Sequence, residues 1–242
     1  MSKLLIIIPA FNESKNLPDL INKISKTNFH PSLQVDALII NDFSTDETEI
    51  FLKNTHNIKF INLPCNLGIG GAVQTGYKYA KKYNYDYAVQ LDGDGQHNPE
   101  YIVDLYNEIR KNKNLVIGSR FIQNEGFQSS KIRRVGISFF YYLIKFLTGK
   151  KVTDATSGFR IADKKVISIF ASSYPVDFPE PETIIKLISL GLNTSEIPVI
   201  MNTRKHGSSS ITLTKSIYYM IKVTLAILFA KFSTKKEAIV SE

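Results

Sequence analysis

The chain has 242 residues, one cysteine (Cys65) and no tryptophan. A single thiol cannot build a disulfide framework, so stability must come from a packed core, and a reducing compartment is the economical reading. The sequence also lacks any run of about 18 uninterrupted apolar residues, the length that suggests a membrane-spanning helix. Its start, "MSKLLIIIPAFNES", does not read as a secretory signal: the apolar run is short, Pro9 breaks it, and no small-residue cleavage site follows. Repeats and low-complexity tracts are absent. So are zinc-finger, RNA-binding and helix-turn-helix signatures, which removes nucleic acid from the expected partners. Acidic residues are the minority, 22 against 30 Lys and Arg, for a net charge of +8. That balance suits partners that carry phosphate, such as nucleotides or an anionic membrane.

What is present is an alternation. "KLLIIIPA" (3–10) is continuously apolar, as expected of a strand buried on both faces. Leu17, Leu20, Ile21 and Ile24 then follow helical spacing, with Asn12 or Ser14 available as a cap. Further strands are expected at 36–40, 58–63, 87–92 and 115–119. Helices are expected at 70–83 and at 99–111, the latter with proline in its first turn. Strands alternating with helices imply right-handed βαβ units and a mostly parallel sheet. Ligands of such sheets bind beyond the carboxyl ends of the strands. The polar clusters lie at those ends: Pro9 to Glu13, Asn41-Asp42, Asp92 to Gln96, and Gly118 to Arg120.

Past residue 131 the pattern changes. "ISFFYYLIKFL" (137–147) is apolar and aromatic, flanked by Arg133, Arg134, Lys150 and Lys151. The last apolar segment, 211–232, is interrupted by Lys215, Lys222 and Lys231. Ile217, Ile221, Leu225, Leu228 and Phe232 form one stripe, with Lys215 and Lys222 on another face. Such a helix either packs on a core or lies in a membrane interface with its lysines snorkelling; Tyr218-Tyr219 and the lysine spacing favour the interface. The expected organisation is one α/β domain over 1–210, followed by an amphipathic, membrane-associated helix and tail over 211–242.

Asp92-Gly93-Asp94-Gly95-Gln96 closes a buried strand. Two aspartates one residue apart suit a hard divalent cation, Mg²⁺ or Mn²⁺, which prefers oxygen ligands and keeps positions for water and phosphate. Asp92, Asp94 and Gln96 are the candidate ligands; alone, the pattern is a weak signal and more often a solvated turn. "NLGIGGAVQTG" is not a dinucleotide fingerprint, because the third glycine would have to stand where Val73 does. Its glycines suit close helix–sheet packing or, at Gly71, approach to a ligand. Arg120, Arg134, Arg160, Arg204 and Lys205 are the candidate phosphate contacts.

The blocks "IIIPAFNES", "INDFSTDET", "NLGIGGAVQTGY", "QLDGDGQHNPEYI", "GSRF", "VTDATSGFR" and "FPEPETIIKL", in this order over residues 4 to 210, resemble the family 2 glycosyltransferases, and within them the polyprenyl-phosphate sugar synthases. The resemblance implies a GT-A fold, a nucleotide-sugar donor that is UDP-linked by family habit, a divalent metal and inversion at the anomeric carbon. Matched residue by residue, it places Pro9, Ala10, Phe11 and Glu13 around the nucleoside, Asn41 and Asp42 at the base, Gly71 and Gly93 near the donor, and Arg204 and Lys205 over its phosphates. It places Asp92 and Asp94 at the metal, and Arg120 and Arg134 on the acceptor side. One departure stands out: Phe43 occupies the position where the family's usual Asp-Asp-Gly-Ser has glycine.

Two acceptors fit. A lipid phosphate is already anionic and needs positioning by basic groups. A hydroxyl of a capsule or cell-wall polysaccharide precursor needs a general base, for which Glu180, Glu182 and Asp154 are candidates, Glu182 foremost. The apolar segments at 137–147 and 211–232 favour the lipid phosphate, a polyprenyl carrier. The expected location is the cytoplasmic face of the cell membrane, peripheral or shallowly embedded. A small membrane protein and a second copy of the chain are compatible partners. A non-catalytic sugar-nucleotide binder would not need the paired aspartates. A nucleotidyltransferase would carry a glycine-rich basic loop after the first strand, where "PAFNES" stands.

Overall fold

The computed structural model describes residues 1–56, 58–123, 125–126, 131–203 and 220–231, with 131–133 described by backbone alone. In chain order its elements are β1 (Ser2–Ala10), α1 (Leu17–Lys26), β2 (Leu33–Asn41), α2 (Thr48–Asn54), β3 (Lys59–Asn62), α3 (Gly68–Lys82), β4 (Tyr87–Gln90), α4 (Tyr101–Ile109), β5 (Leu115–Ser119), α5 (Lys131–Thr148), β6 (Arg160–Asp163), α6 (Lys164–Ser172), α7 (Pro179–Ser189) and β7 (Thr194–Pro198). Residues 220–231 are also helical.

The sheet order is β3-β2-β1-β4-β6-β5-β7. β1 lies inside it, parallel to β2 and to β4. That is why Leu4 to Ile8 are wholly buried: a strand covered by helices on both faces has no solvent side. Alternation sends Leu5 and Ile7 into one core with Val73 and Tyr77 of α3 and Phe170 of α6. It sends Leu4, Ile6 and Ile8 into the other, with Leu17 and Leu20 of α1 and Ile102 and Leu105 of α4. α3 sits close: a Cβ on Gly76 would lie 2.3 Å from Ile7 Cγ2.

The expected α/β sheet is present and mostly parallel, with two strands that the alternation did not announce, β6 and the edge strand β7, which runs parallel to β5. β6 is short and runs antiparallel between β4 and β5. Two helix starts differ from expectation. α1 is capped at Asn16 with no side-chain bond, and neither Asn12 nor Ser14 caps it. α4 begins at Tyr101, beyond Pro99.

α5 covers the expected apolar segment and is amphipathic. Ile137, Phe140 and Ile144 are buried, whereas Val135, Phe139, Tyr142 and Phe146 are exposed along the opposite side. In 220–231 Val223 and Ile227 are buried and Ile221, Leu225 and Phe229 are exposed. The two helices touch, since a Cβ on Gly136 would lie 3.0 Å from Met220 Sδ. Ile221 and Leu225 of the expected stripe therefore face outward; Ile217, Phe232 and Lys215 lie outside the described residues. Lys222 donates to Asp177. Among the described residues no helix is long and apolar enough to cross a membrane.

Candidate active site

From β1 the chain winds outward to β2 and β3, then returns to β4 on the other side of β1. This reversal opens a crevice at the carboxyl ends of β1 and β4, the usual ligand site of open α/β sheets. Two loops meet there. A Cβ on Gly93 would stand 3.1 Å from Pro9 O, 3.5 Å from Glu13 Cγ and 3.7 Å from Ala10 Cβ. Glycine thus lets the loop of the paired aspartates lie on the loop after β1. Glu13 is fixed at both ends: its amide donates to Thr48 Oγ1 (3.0 Å) and its Oε2 accepts from Asn16 Nδ2 (2.6 Å). Phe11, beside it, is exposed.

The loop after β2 is tied to its neighbours. Asn41 donates to Asn62 Oδ1 (2.9 Å) and accepts from the Ser44 amide (3.2 Å), so its side chain braces the loop. The buried Asp42 receives the Leu67 amide on Oδ1 at 2.7 Å, and its carbonyl accepts from Asn66 Nδ2 at 3.1 Å. Gly70 packs α3 against the backbone at Pro175 and Val176, where a Cβ would lie 2.1 and 2.3 Å from two carbonyl oxygens. Gly71 meets its own Leu67. The packing reading of these glycines holds at Gly70 and Gly76.

Asp92 and Asp94 line the same crevice. Gln90 Nε2 donates to Asp92 Oδ1 at 3.0 Å. Behind Asp92 stands Gly158, where a Cβ would lie 2.6 Å from Gln90 Nε2 and 3.3 and 3.4 Å from the two Asp92 oxygens. A side chain at 158 would push aside the Gln90 amide that bonds this carboxylate. Asp94 is buried and accepts the Gln96 amide at 3.0 Å. Gln96 turns its Nε2 to Asn202 O (3.2 Å) and so fastens this loop to the segment after β7. His97 stacks on Phe159, with centroids 4.8 Å apart. Burial, and then the nearby Arg120, push its pKa down to about 4, so the ring is neutral at neutral pH.

Two adjacent carboxylates with a cradle that only glycine leaves open fit a hard divalent cation. Among the described residues no group of three or more His, Cys, Asp or Glu could enclose a metal. A metal held here would complete its shell with water and ligand oxygens.

Across the crevice the basic residues are not equivalent. Arg120 is buried and grips Asp154 with two bonds of 2.6 Å, from Nε and Nη2, while Nη2 also reaches Thr156 Oγ1 at 2.9 Å. Both Asp154 oxygens are thereby engaged, which leaves this carboxylate ill placed to act as a base. Glu196 supports the pair by accepting the amides of Thr153 (2.7 Å) and Asp154 (2.9 Å). Burial raises the Glu196 pKa. Arg160 is fully buried, bonded to Ser157 O, Glu180 O and Thr183 Oγ1, so it is a strut rather than the phosphate contact that the sequence suggested. Arg134 is exposed on the first turn of α5. Glu180 and Glu182 stand in the first turn of α7. Glu182 is half-buried, and burial raises its pKa against the opposing pull of Lys186. Arg204 and Lys205 lie outside the described residues.

Sequence reasoning missed three members of this region: Gly158, Thr183 and Glu196. "SGFR" carried a signal for the first, a glycine beside a buried strand. Nothing in "NTSEIPV" marks Glu196 as the brace of an ion pair 42 residues upstream.

The sequence profile described as Glycosyl transferase family 2 matches residues 5–170. A polyprenol monophosphomannose synthase of Mycolicibacterium smegmatis is 27% identical over 229 residues, which cover 90% of this chain and 84% of the relative. A UDP-N-acetylglucosamine–dolichyl-phosphate N-acetylglucosaminyltransferase of Methanococcus voltae is 30% identical over 217 residues, covering 80% and 83%. Among solved structures, glucosyl-3-phosphoglycerate synthase from Mycobacterium tuberculosis, crystallised with Mn²⁺, uridine diphosphate and phosphoglyceric acid, superposes with a TM-score of 0.67 at 18% identity. That match covers 95% of this chain and 78% of the other, and it speaks for the fold, which is α/β and GT-A-like.

Proposed function

The chain belongs to glycosyl transferase family 2, and on that premise we propose that it moves a sugar from a UDP-linked donor to a polyprenyl phosphate at the membrane surface, with inversion. One observation carries the choice of a lipid acceptor. Two touching helices, α5 and 220–231, turn Val135, Phe139, Tyr142, Phe146, Ile221, Leu225 and Phe229 outward. Water-facing aromatic stripes on adjacent helices are what a membrane interface covers. The names of the mycobacterial and archaeal relatives, a polyprenol and a dolichyl-phosphate enzyme, support the same acceptor class.

In this reading Pro9, Ala10, Phe11 and Glu13 line the nucleoside pocket, and the buried Asp42 meets the base. Asn41 braces that pocket, and Gly71 and Gly93 give backbone close to the donor. Asp92 and Asp94 hold Mg²⁺ or Mn²⁺; Gln96 adds its carbonyl oxygen or holds the loop through Asn202. The bound ion would neutralise charge on the departing diphosphate. Arg204 and Lys205 close over the donor phosphates. Arg134 holds the acceptor phosphate, and Arg120 shapes that side through Asp154. An acceptor phosphate oxygen forms the new bond to the anomeric carbon as the bond to the donor diphosphate breaks. The electron pair leaves with the nucleoside diphosphate. The lipid phosphate carries its own negative charge, so no proton has to be removed first.

A second reading keeps one observation in its favour. Glu182 is half-buried with a raised pKa, which suits a general base for a hydroxyl of a polysaccharide precursor. Incubating protein and membranes with labelled nucleotide sugars, followed by lipid extraction, separates the two. Label in the organic phase supports the lipid acceptor, and label confined to water-soluble glycan supports the other.

Membrane attachment has its own test, aimed at the cytoplasmic face as a peripheral site. Phe146→Ser combined with Phe229→Ser alters two exposed residues, so the fold should hold. Each phenyl stabilises by up to about 1.5–3 kcal/mol when fully buried, and half of that for two rings corresponds to a loss in vesicle binding of roughly 10-fold or more. Sedimentation with anionic vesicles reads it. Added salt should weaken the lysine share and leave the apolar share. Unchanged partitioning of the double variant would place the anchor elsewhere.

A further inference from the structure

Phe43 holds a position that its side chain does not favour. Its φ is +60°, in the left-handed region where glycine is at ease and an L side chain is not. The phenyl group gains only partial burial in exchange: it is 52% exposed. The turn cannot relax without breaking its ties. The Ser44 amide donates to Asn41 Oδ1 (3.2 Å), Ser44 Oγ accepts the Asn12 amide (3.0 Å), and Asn12 Oδ1 accepts the Thr45 amide (2.8 Å). The loop therefore holds an aromatic ring in solvent, in a conformation that a glycine would adopt more readily. Persistent local strain of this kind points to function.

Its surroundings say which function. Phe43 directly follows Asp42, whose buried carboxylate receives the Leu67 amide on one oxygen. Leu67 is itself partly exposed, and so is Phe11 on the adjoining loop. Three apolar side chains thus stand exposed on the loops that follow β1, β2 and β3, and the buried Asp42 carboxylate lies on the middle one of these loops. A carboxylate edge with apolar walls matches a nucleobase, which offers N–H donors in its plane and an apolar surface on its face.

We propose that Phe43 is a base-stacking residue of the donor site, packing its ring on the nucleobase face while Asp42 accepts a donor from the base edge. This rests on the nucleotide-sugar reading above. It makes Phe43 a determinant of base affinity that a glycine at the same position would not supply.

The test is calorimetric titration of the full chain with UDP and with GDP, in the presence of Mn²⁺, and with inorganic pyrophosphate as the base-free control. Phe43→Gly should fold as well as or better than the parent by thermal melt, since it removes the backbone strain. Its affinity for the nucleotide that the parent binds should fall roughly 10-fold to 100-fold, the range of base–aromatic stacking. Phe43→Tyr should restore most of it. Pyrophosphate binding should not change in either variant. Equal nucleotide affinity in Phe43→Gly would overturn the inference alone, as would an equal loss for pyrophosphate, which would mean a displaced loop. A parent protein that binds neither nucleotide would overturn the donor reading and this inference with it.

Discussion

Asp94→Ala should lower sugar transfer by at least about 10³-fold and weaken Mn²⁺ binding, with the fold kept. A lost contact between a charge and the metal that steadies the leaving diphosphate removes several kcal/mol of transition-state stabilisation, and about 4 kcal/mol is 10³ in rate. Asp94 is buried, yet it lies on a loop outside the two apolar cores. Its carboxylate accepts the Gln96 amide, and loss of that bond should lower stability by only about 1–2 kcal/mol. Calorimetry with Mn²⁺, run beside a thermal melt, separates the two effects. Full turnover in excess chelator would contradict the assignment, and so would an Asp94→Ala variant that still transfers sugar at the parent rate.

Glu182→Gln and Arg134→Ala form the second expected result, because the two acceptors predict opposite outcomes. With a lipid phosphate already ionised at pH 7, Glu182→Gln should slow transfer only a few-fold. With a hydroxyl acceptor it should slow it by the roughly 10²–10⁴-fold typical of lost general-base catalysis. Arg134 is exposed, at the start of the helix that bears half of the outward apolar stripe. Its removal should raise KM for the lipid phosphate by about 10-fold or more, since a charge-assisted contact to phosphate contributes about 1.5–3 kcal/mol. The donor KM should stay put. A collapse for Glu182→Gln beside a near-normal Arg134→Ala would favour the polysaccharide reading.

Five of the parallel strands were legible, the clearest because burial on both faces writes continuous apolar runs, as in "KLLIIIPA" and "LVIGS"; β7, "TSEIP" at the sheet edge, carries no such run. β6 was not, because "RIAD" is four residues long and opens on an arginine. Its antiparallel place depends on partners 43 to 76 residues away. α2 escaped for a similar reason: seven residues give too few turns for a period to show. The paired aspartates were readable as a local pattern at a strand end. Arg120 was readable only as a basic residue. Its grip on Asp154 crosses 34 positions, and sequence does not display an ion pair at that range. Arg160 misled for the same reason, since its buried place among neutral oxygens of the loop before β6 and of α7 appears only when those segments meet. Phe43 lies between these cases: the departure from glycine was visible, whereas the left-handed backbone beneath it was not.

The most direct measurement is transfer by the purified full chain with Mn²⁺ and a labelled nucleotide sugar, offered in parallel a polyprenyl phosphate, the corresponding polyprenol and an oligosaccharide. The expected result is labelled lipid from the polyprenyl phosphate alone, one sugar per phosphate, with an equal amount of nucleoside diphosphate released. Label on the polyprenol or the oligosaccharide, with the polyprenyl phosphate left unreacted, would contradict it.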